Sequence, residues 1–217
     1  MIAAVVLTPV ALAGCSTTSE SASTDQIVLA EAQELGGYNP AVGYGELGVS
    51  PLYDGLLRPQ ADTDDRMPAL VPALASSPPQ RIGPRTWRLP LRSGVTFSDG
   101  TALDSADVVA TYSAIKDPAV ASDISSHLAT IAEVTAAGPD AVTVAMRTDA
   151  DPSPYLLVGI VPSEKVENRP AANWALNTDP VGTGPYRLDS LSPDQAVMVA
   201  RDDYWGKQPE VKRLIYT

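Results

Sequence analysis

The sequence predicts a mixed α/β protein built from many short elements. Three observations carry that expectation. Asp104 to Lys116 places apolar residues at helical spacing, whereas several other segments alternate with the period of a half-buried strand. Helical and strand patterns do not follow one another in strict alternation, which marks a mixed class. The 20 prolines are spread along the 217 residues and not gathered in one linker, so fixed turns recur at short intervals.

In chain order, Ile27 to Ala30 reads as a short strand, and Gly36-Gly37-Tyr38-Asn39-Pro40 as a turn. Glu46 to Leu57 is expected to be helical: Leu47, Leu52, Leu56 and Leu57 share a helical period, and Pro51 falls near the first turn, where its missing N–H matters least. A Pro-punctuated loop should follow from Pro59 to Pro84. Trp87, Leu89 and Leu91 alternate with Arg88, Pro90 and Arg92 and predict a strand. Pro90 cannot donate to a ladder, so the strand should lie at an edge or bulge there. Ser98-Asp99-Gly100-Thr101 is a tight turn. The Asp104–Lys116 helix has a cap in Asp104 and a dipole partner in Asp107; Val108, Val109, Tyr112 and Ile115 form its apolar face. Asp117-Pro118 ends it.

Ile131–Ala136 and Ala141–Arg147 flank Gly138-Pro139-Asp140 and read as a hairpin. Pro154–Val158 suggests a turn or two of helix, and Ile160–Pro162 an extended piece. Val181–Leu188 and Ala196–Arg201 should pair, and Leu214–Tyr216 begins a last strand.

The N-terminus follows a different logic. Ile2 to Ala13 is uncharged and apolar, but too short for a membrane span of roughly 20 residues. Small residues close it, Cys15 follows, and a Ser/Thr-rich stretch comes next, the order of an export signal and a polar tether. Leu12-Ala13-Gly14-Cys15 resembles the lipobox of bacterial lipoproteins. That resemblance implies that Cys15 is diacylated and becomes the mature N-terminus. Met1 leads straight into Ile2 without the usual basic residues, so the true start is expected upstream. Cys15 is the only cysteine, so no disulfide framework is expected.

Net charge is -11. An acidic chain is repelled by phosphate backbones, so nucleic acid is excluded as a partner. Catalysis has no support either: His127 is the only histidine, in a helical pattern suited to an exposed or capping side chain, and no G-x-S-x-G elbow is present. One histidine and one lipidated cysteine supply no metal site. No cofactor is expected.

Four stretches carry a wider resemblance. They are "LYDGLLRP" at Leu52–Pro59, "TWRLPLRSGVTFSDGTALDSADVVATYSAIKDP" at Thr86–Pro118, "IVPSEKVE" at Ile160–Glu167, and "DPVGTGPYRLDSLSPDQAVMVARDDYWGKQPEVKRLIY" at Asp179–Tyr216. The physical sense of these motifs is mainly structural. Gly94, Asp99 and Gly100 set turns that return Phe97 to the core; Gly182-Thr183-Gly184-Pro185-Tyr186 joins two φ-free residues to a fixed one; Tyr204-Trp205-Gly206 is an aromatic wedge. In this order the set resembles the family 5 extracellular solute-binding proteins, the oligopeptide, dipeptide and nickel receptors of bacterial ATP-driven importers.

The resemblance implies a partial periplasmic-binding-protein type II-like fold, with an N-terminal lobe and its inserted subdomain but no second lobe. It divides the chain into a signal peptide (1–14), a lipidated cysteine and tether (15–25), an incomplete first lobe (26–49 and 166–217) and its subdomain (50–165). In the family the loop after the first strand faces the cleft between lobes, which makes Tyr44, Gly45 and Glu46 the candidate ligand residues. The implied role is non-catalytic. A lipid-anchored, extracytoplasmic receptor would capture peptide or another small solute and deliver it to the transmembrane subunits of an ABC permease. The alternative is a truncated envelope lipoprotein that acts as an interaction module without binding solute.

Overall fold

A computed structural model describes residues 25–30, 35–60 and 67–217. The apolar leader, Cys15 and the Ser/Thr tether lie outside the described residues. Ten strands and one α-helix are formed among those described: β1 (Gln26–Leu29), β2 (Leu57–Pro59), β3 (Leu70–Pro72), β4 (Gln80–Gly83), β5 (Thr86–Pro90), α1 (Ser105–Lys116), β6 (Ile131–Ala136), β7 (Ala141–Met146), β8 (Tyr186–Ser192), β9 (Gln195–Ala200) and β10 (Arg213–Tyr216). They make a four-stranded sheet β1-β10-β9-β8, a two-stranded sheet β2-β3 and a four-stranded sheet β4-β5-β7-β6. Every pairing is antiparallel except that of β1 with β10.

The core forms where α1 packs against β6 and β7. Trp87 and Leu89 of β5, Val142 and Val144 of β7, and Val108, Tyr112 and Ile115 of α1 are all buried. The alternation read in the sequence thus becomes one buried face of a sheet. Helix α1 starts as its residues dictate. The Asp104 carboxylate accepts from Ala106 N at 2.7 Å, and Asp107 accepts from Asp104 N at 2.9 Å, a reciprocal capping box. Asp107 also accepts from Ser163 N at 2.8 Å, which fastens the segment after Ile160–Pro162 to the helix.

Several sequence expectations are corrected. Glu46–Leu57 is not a helix. Its backbone bonds elsewhere: Leu52 O accepts from Gly184 N, Pro51 O from Tyr186 N, Asp54 O from Ile160 N, and Leu56 O from Ala73 N and Ala75 N. Distant partners satisfy the groups that a helix would have paired internally, and tertiary structure overrides the local period. The expected loop from Pro59 to Pro84 contains β3 and β4. Strand β5 lies inside its sheet, with no register shift against β7 at Pro90. Pro90 is tolerated because β4 ends at Gln80, opposite Arg88, so no strand there needs its missing donor. Strand β8 begins at Tyr186, not Val181. Ser153–Tyr155 forms a single 3-10 turn, and the segment around His127 a run of turns instead of a helix.

Candidate functional site

The candidate loop opens with Asn39. Its side chain accepts from Ala41 N at 3.0 Å, starting a 3-10 turn at Pro40–Val42, and donates to Ala171 O at 3.0 Å. The chain then coils tightly, with Glu46 N donating to Gly43 O and Gly48 N to Gly45 O. Gly45 has a φ of 64°, and a Cβ there would lie 2.8 Å from that of Ser50. Both the left-handed backbone and the crowding require glycine. Gly45 therefore shapes the loop and offers no side chain to a ligand.

Its neighbours point to different environments. The half-buried ring of Tyr44 meets Tyr38 edge-on at 5.4 Å and Tyr53 at 6.1 Å, both of which are buried. Glu46 turns instead to His127, with Oε2 and Nδ1 3.1 Å apart. Both border a hollow of about 170 Å³ whose apolar wall includes Leu47, Ile124, Leu128, Leu157 and Val158. Leu47 in that wall stands 70% exposed. The candidate residues thus share one turn, but only Glu46 reaches the hollow.

His127 is the residue that sequence reasoning missed. It lies 81 residues from Glu46, and no spacing rule links the two. The available signal was that a lone histidine and a loop carboxylate were both predicted to be accessible. Chemically, the site offers an apolar recess with an acid and an imidazole at its mouth. It can seat an aliphatic side chain with a polar or cationic group beside it.

The motif stretches converge on Arg201 and Asp54. The Arg201 guanidinium donates to the carbonyls of Thr96, Phe97, Gly182 and Gly184, and pairs with Asp203 at 2.9 Å. Asp54 N donates to Thr183 Oγ1 at 3.2 Å, and Trp205 Nε1 donates to the Asp54 carboxylate at 2.9 Å. Burial pushes the Asp54 carboxyl up to about 6, although the Trp205 donor and the nearby Arg58 charge favour ionisation. Gly182 and Gly184 have no left-handed φ; a Cβ on either would lie 2.1 or 2.4 Å from the Leu52 backbone. Close approach, and not the φ freedom expected from the sequence, is what requires glycine here.

The family model for bacterial extracellular solute-binding proteins, family 5 Middle, matches residues 69–217. Protein XP55 of Streptomyces lividans is 33% identical over 193 residues, covering 88% of this chain and 34% of its own. A putative ABC transporter peptide-binding protein of Brucella ovis is 28% identical over 190 residues, covering 83% of this chain and 35% of its own. Among solved structures, NikZ from Campylobacter jejuni in complex with Ni(L-His) superposes with a TM-score of 0.78 at 25% identity, covering 90% of this chain and 39% of that one. The chain therefore spans somewhat over a third of the length of the relatives it matches. Its mixed α/β fold is that part of the substrate-binding-protein fold, and the family whose model matches is one of solute-binding proteins, not of enzymes.

Proposed function

Because this chain belongs to the bacterial extracellular solute-binding proteins of family 5, we propose that it contributes part of the solute-capturing receptor of an ABC-type importer, with peptides as its solutes. The receptor is held outside the cytoplasm by lipid on Cys15. It captures solute in a cleft, closes, and hands the solute to the transmembrane permease subunits. In this reading residues 26–49 and 166–217 belong to one lobe, and residues 50–165 form its subdomain.

The observation that supports the reading best is the recess beside the Tyr38–Val49 loop. Its apolar wall suits a peptide side chain, and Glu46 suits an amino group.

Two measurements test this. Calorimetric titration with a panel of short peptides should give saturable binding, weakened by Glu46→Gln most for peptides with a free or side-chain amine. Peptides that bind nowhere, or bind equally well to Glu46→Gln, would sink the site. The intact mass of protein extracted from membranes should carry a diacylglyceryl group on Cys15; an unmodified thiol would refute the anchor.

A further inference from the structure

A second concavity shares no lining residue with the Glu46–His127 recess. Two adjoining hollows of about 570 and 380 Å³ meet at Arg58, Pro185 and Tyr204 and form one groove. Arg58 is exposed at the middle of β2. Its guanidinium lies 5.7 Å from the centroid of the Trp205 ring, over which Arg92 also sits at 4.6 Å. Among the described residues Arg58 has no ion pair within 4.0 Å. Arg58 and Tyr204 line both hollows, and the buried Asp54 carboxyl, which accepts from Trp205 Nε1 at 2.9 Å, lines the larger one beside them.

Ser50 supplies a second donor. It lines the groove, and its oxygen accepts from Leu52 N at 3.1 Å and Tyr53 N at 3.2 Å. With both lone pairs engaged, the hydroxyl proton remains to be donated outward. Lys207, at the far end, is held by Glu210 at 3.1 Å. A guanidinium near an indole ring, with no ion-pair partner of its own and an acceptor-saturated hydroxyl in the same groove, suits an oxyanion, because the planar fork can bind two oxygens at once.

We propose that this groove is a binding site for an oxyanion-bearing ligand, a carboxylate or a tetrahedral anion, anchored by Arg58 with the Ser50 hydroxyl as second donor. The site is separate from the peptide recess, so either can fail while the other stands.

Titration calorimetry of the 217-residue chain, with sulfate and with succinate against chloride at matched ionic strength, tests this. Saturable binding of sulfate, succinate or both supports the site and says which geometry it prefers. Arg58→Ala should weaken binding by about tenfold, the loss expected for a charged hydrogen-bond donor, and Arg58→Lys by less. The pH profile is a second readout. The groups facing Asp54 are Arg58, Arg201 and Tyr204, and Lys207 and Glu210 line the groove beyond. Protonating Asp54 removes a negative charge from the wall of the groove. Sulfate keeps both its charges over this range, so its binding should tighten as pH falls through about 6. Asp54→Asn should reproduce the tight binding at neutral pH; if that variant does not fold, Arg58→Ala and the wild-type pH profile decide. Neither anion exceeding chloride, or Arg58→Ala binding as tightly as the parent, would overturn the proposal.

Discussion

Arg201 keeps only 2% of its side chain exposed, yet it carries a charge. The structure accepts this because four carbonyls and Asp203 surround the guanidinium, which satisfies its fork of donors. It also holds the Asp203 carboxyl below the usual carboxylate range. Arg201→Met should therefore leave several buried carbonyls unpaired and cost roughly 3 kcal/mol or more, read as a lower urea midpoint. A loss under about 1 kcal/mol would mean that water replaces the side chain. Asp54 works in the opposite sense. Its carboxyl is raised from 3.8 to about 6, chiefly by burial, so the folded state holds a proton that the unfolded chain has already released. The stability that this proton contributes is complete below the unfolded value and is lost as pH rises through about 6. The full swing is about 3 kcal/mol, since each pKa unit is worth 1.36 kcal/mol. Thermal midpoints measured from acid to neutral pH should fall for the parent and stay flatter for Asp54→Asn; parallel curves would assign the pH dependence to other groups.

Helix α1 and the segment from Glu46 to Leu57 show what the sequence could disclose at the scale of an element. The helix was legible because its determinants are local: a cap, an acid three residues on, an apolar face and a terminating Asp-Pro. The second segment carries a helical period just as plainly. Its backbone partners, however, lie at Ala73–Ala75, Leu156, Ile160 and Gly184–Tyr186, and no window of sequence contains them. The leucine spacing reflects burial of Leu52, Leu56 and Leu57 in the core, not a helix. The same close threading explains the glycines of the Gly182–Tyr186 stretch. Gly184→Ala should prevent native folding, because its Cβ would lie 2.4 Å from the Leu52 carbonyl carbon, and backbone on both sides cannot yield. Far-UV circular dichroism and protease resistance would report it; a variant as resistant as the parent would show that the two segments can separate at little cost.

At the scale of the whole molecule, the candidate site was half visible. The loop and its carboxylate were found in the sequence, whereas the histidine and the recess behind them depend on segments brought together only by folding. Strand β1 adds a consequence for association. Among the described residues it is the edge of its sheet, and Ile27 and Val28 are 43% and 60% exposed. An apolar edge strand invites pairing between molecules. Sedimentation velocity should show concentration-dependent association of the chain that Val28→Lys suppresses; a monomer at all concentrations would show that the edge is covered. Strand β1 has a further property, set by its one partner in the sheet. Gln26 pairs with Arg213 and Leu29 with Tyr216, so the first described strand is completed by the last. In a polypeptide that emerges from a ribosome or a secretion channel from its N-terminus, β1 exists long before β10 can reach it. Closing so long a loop costs entropy that grows with the logarithm of its length, and non-local pairing of this kind slows folding, so β1 pairs late. Throughout that interval the exposed Ile27 and Val28 are without the one strand that pairs with β1 among the described residues.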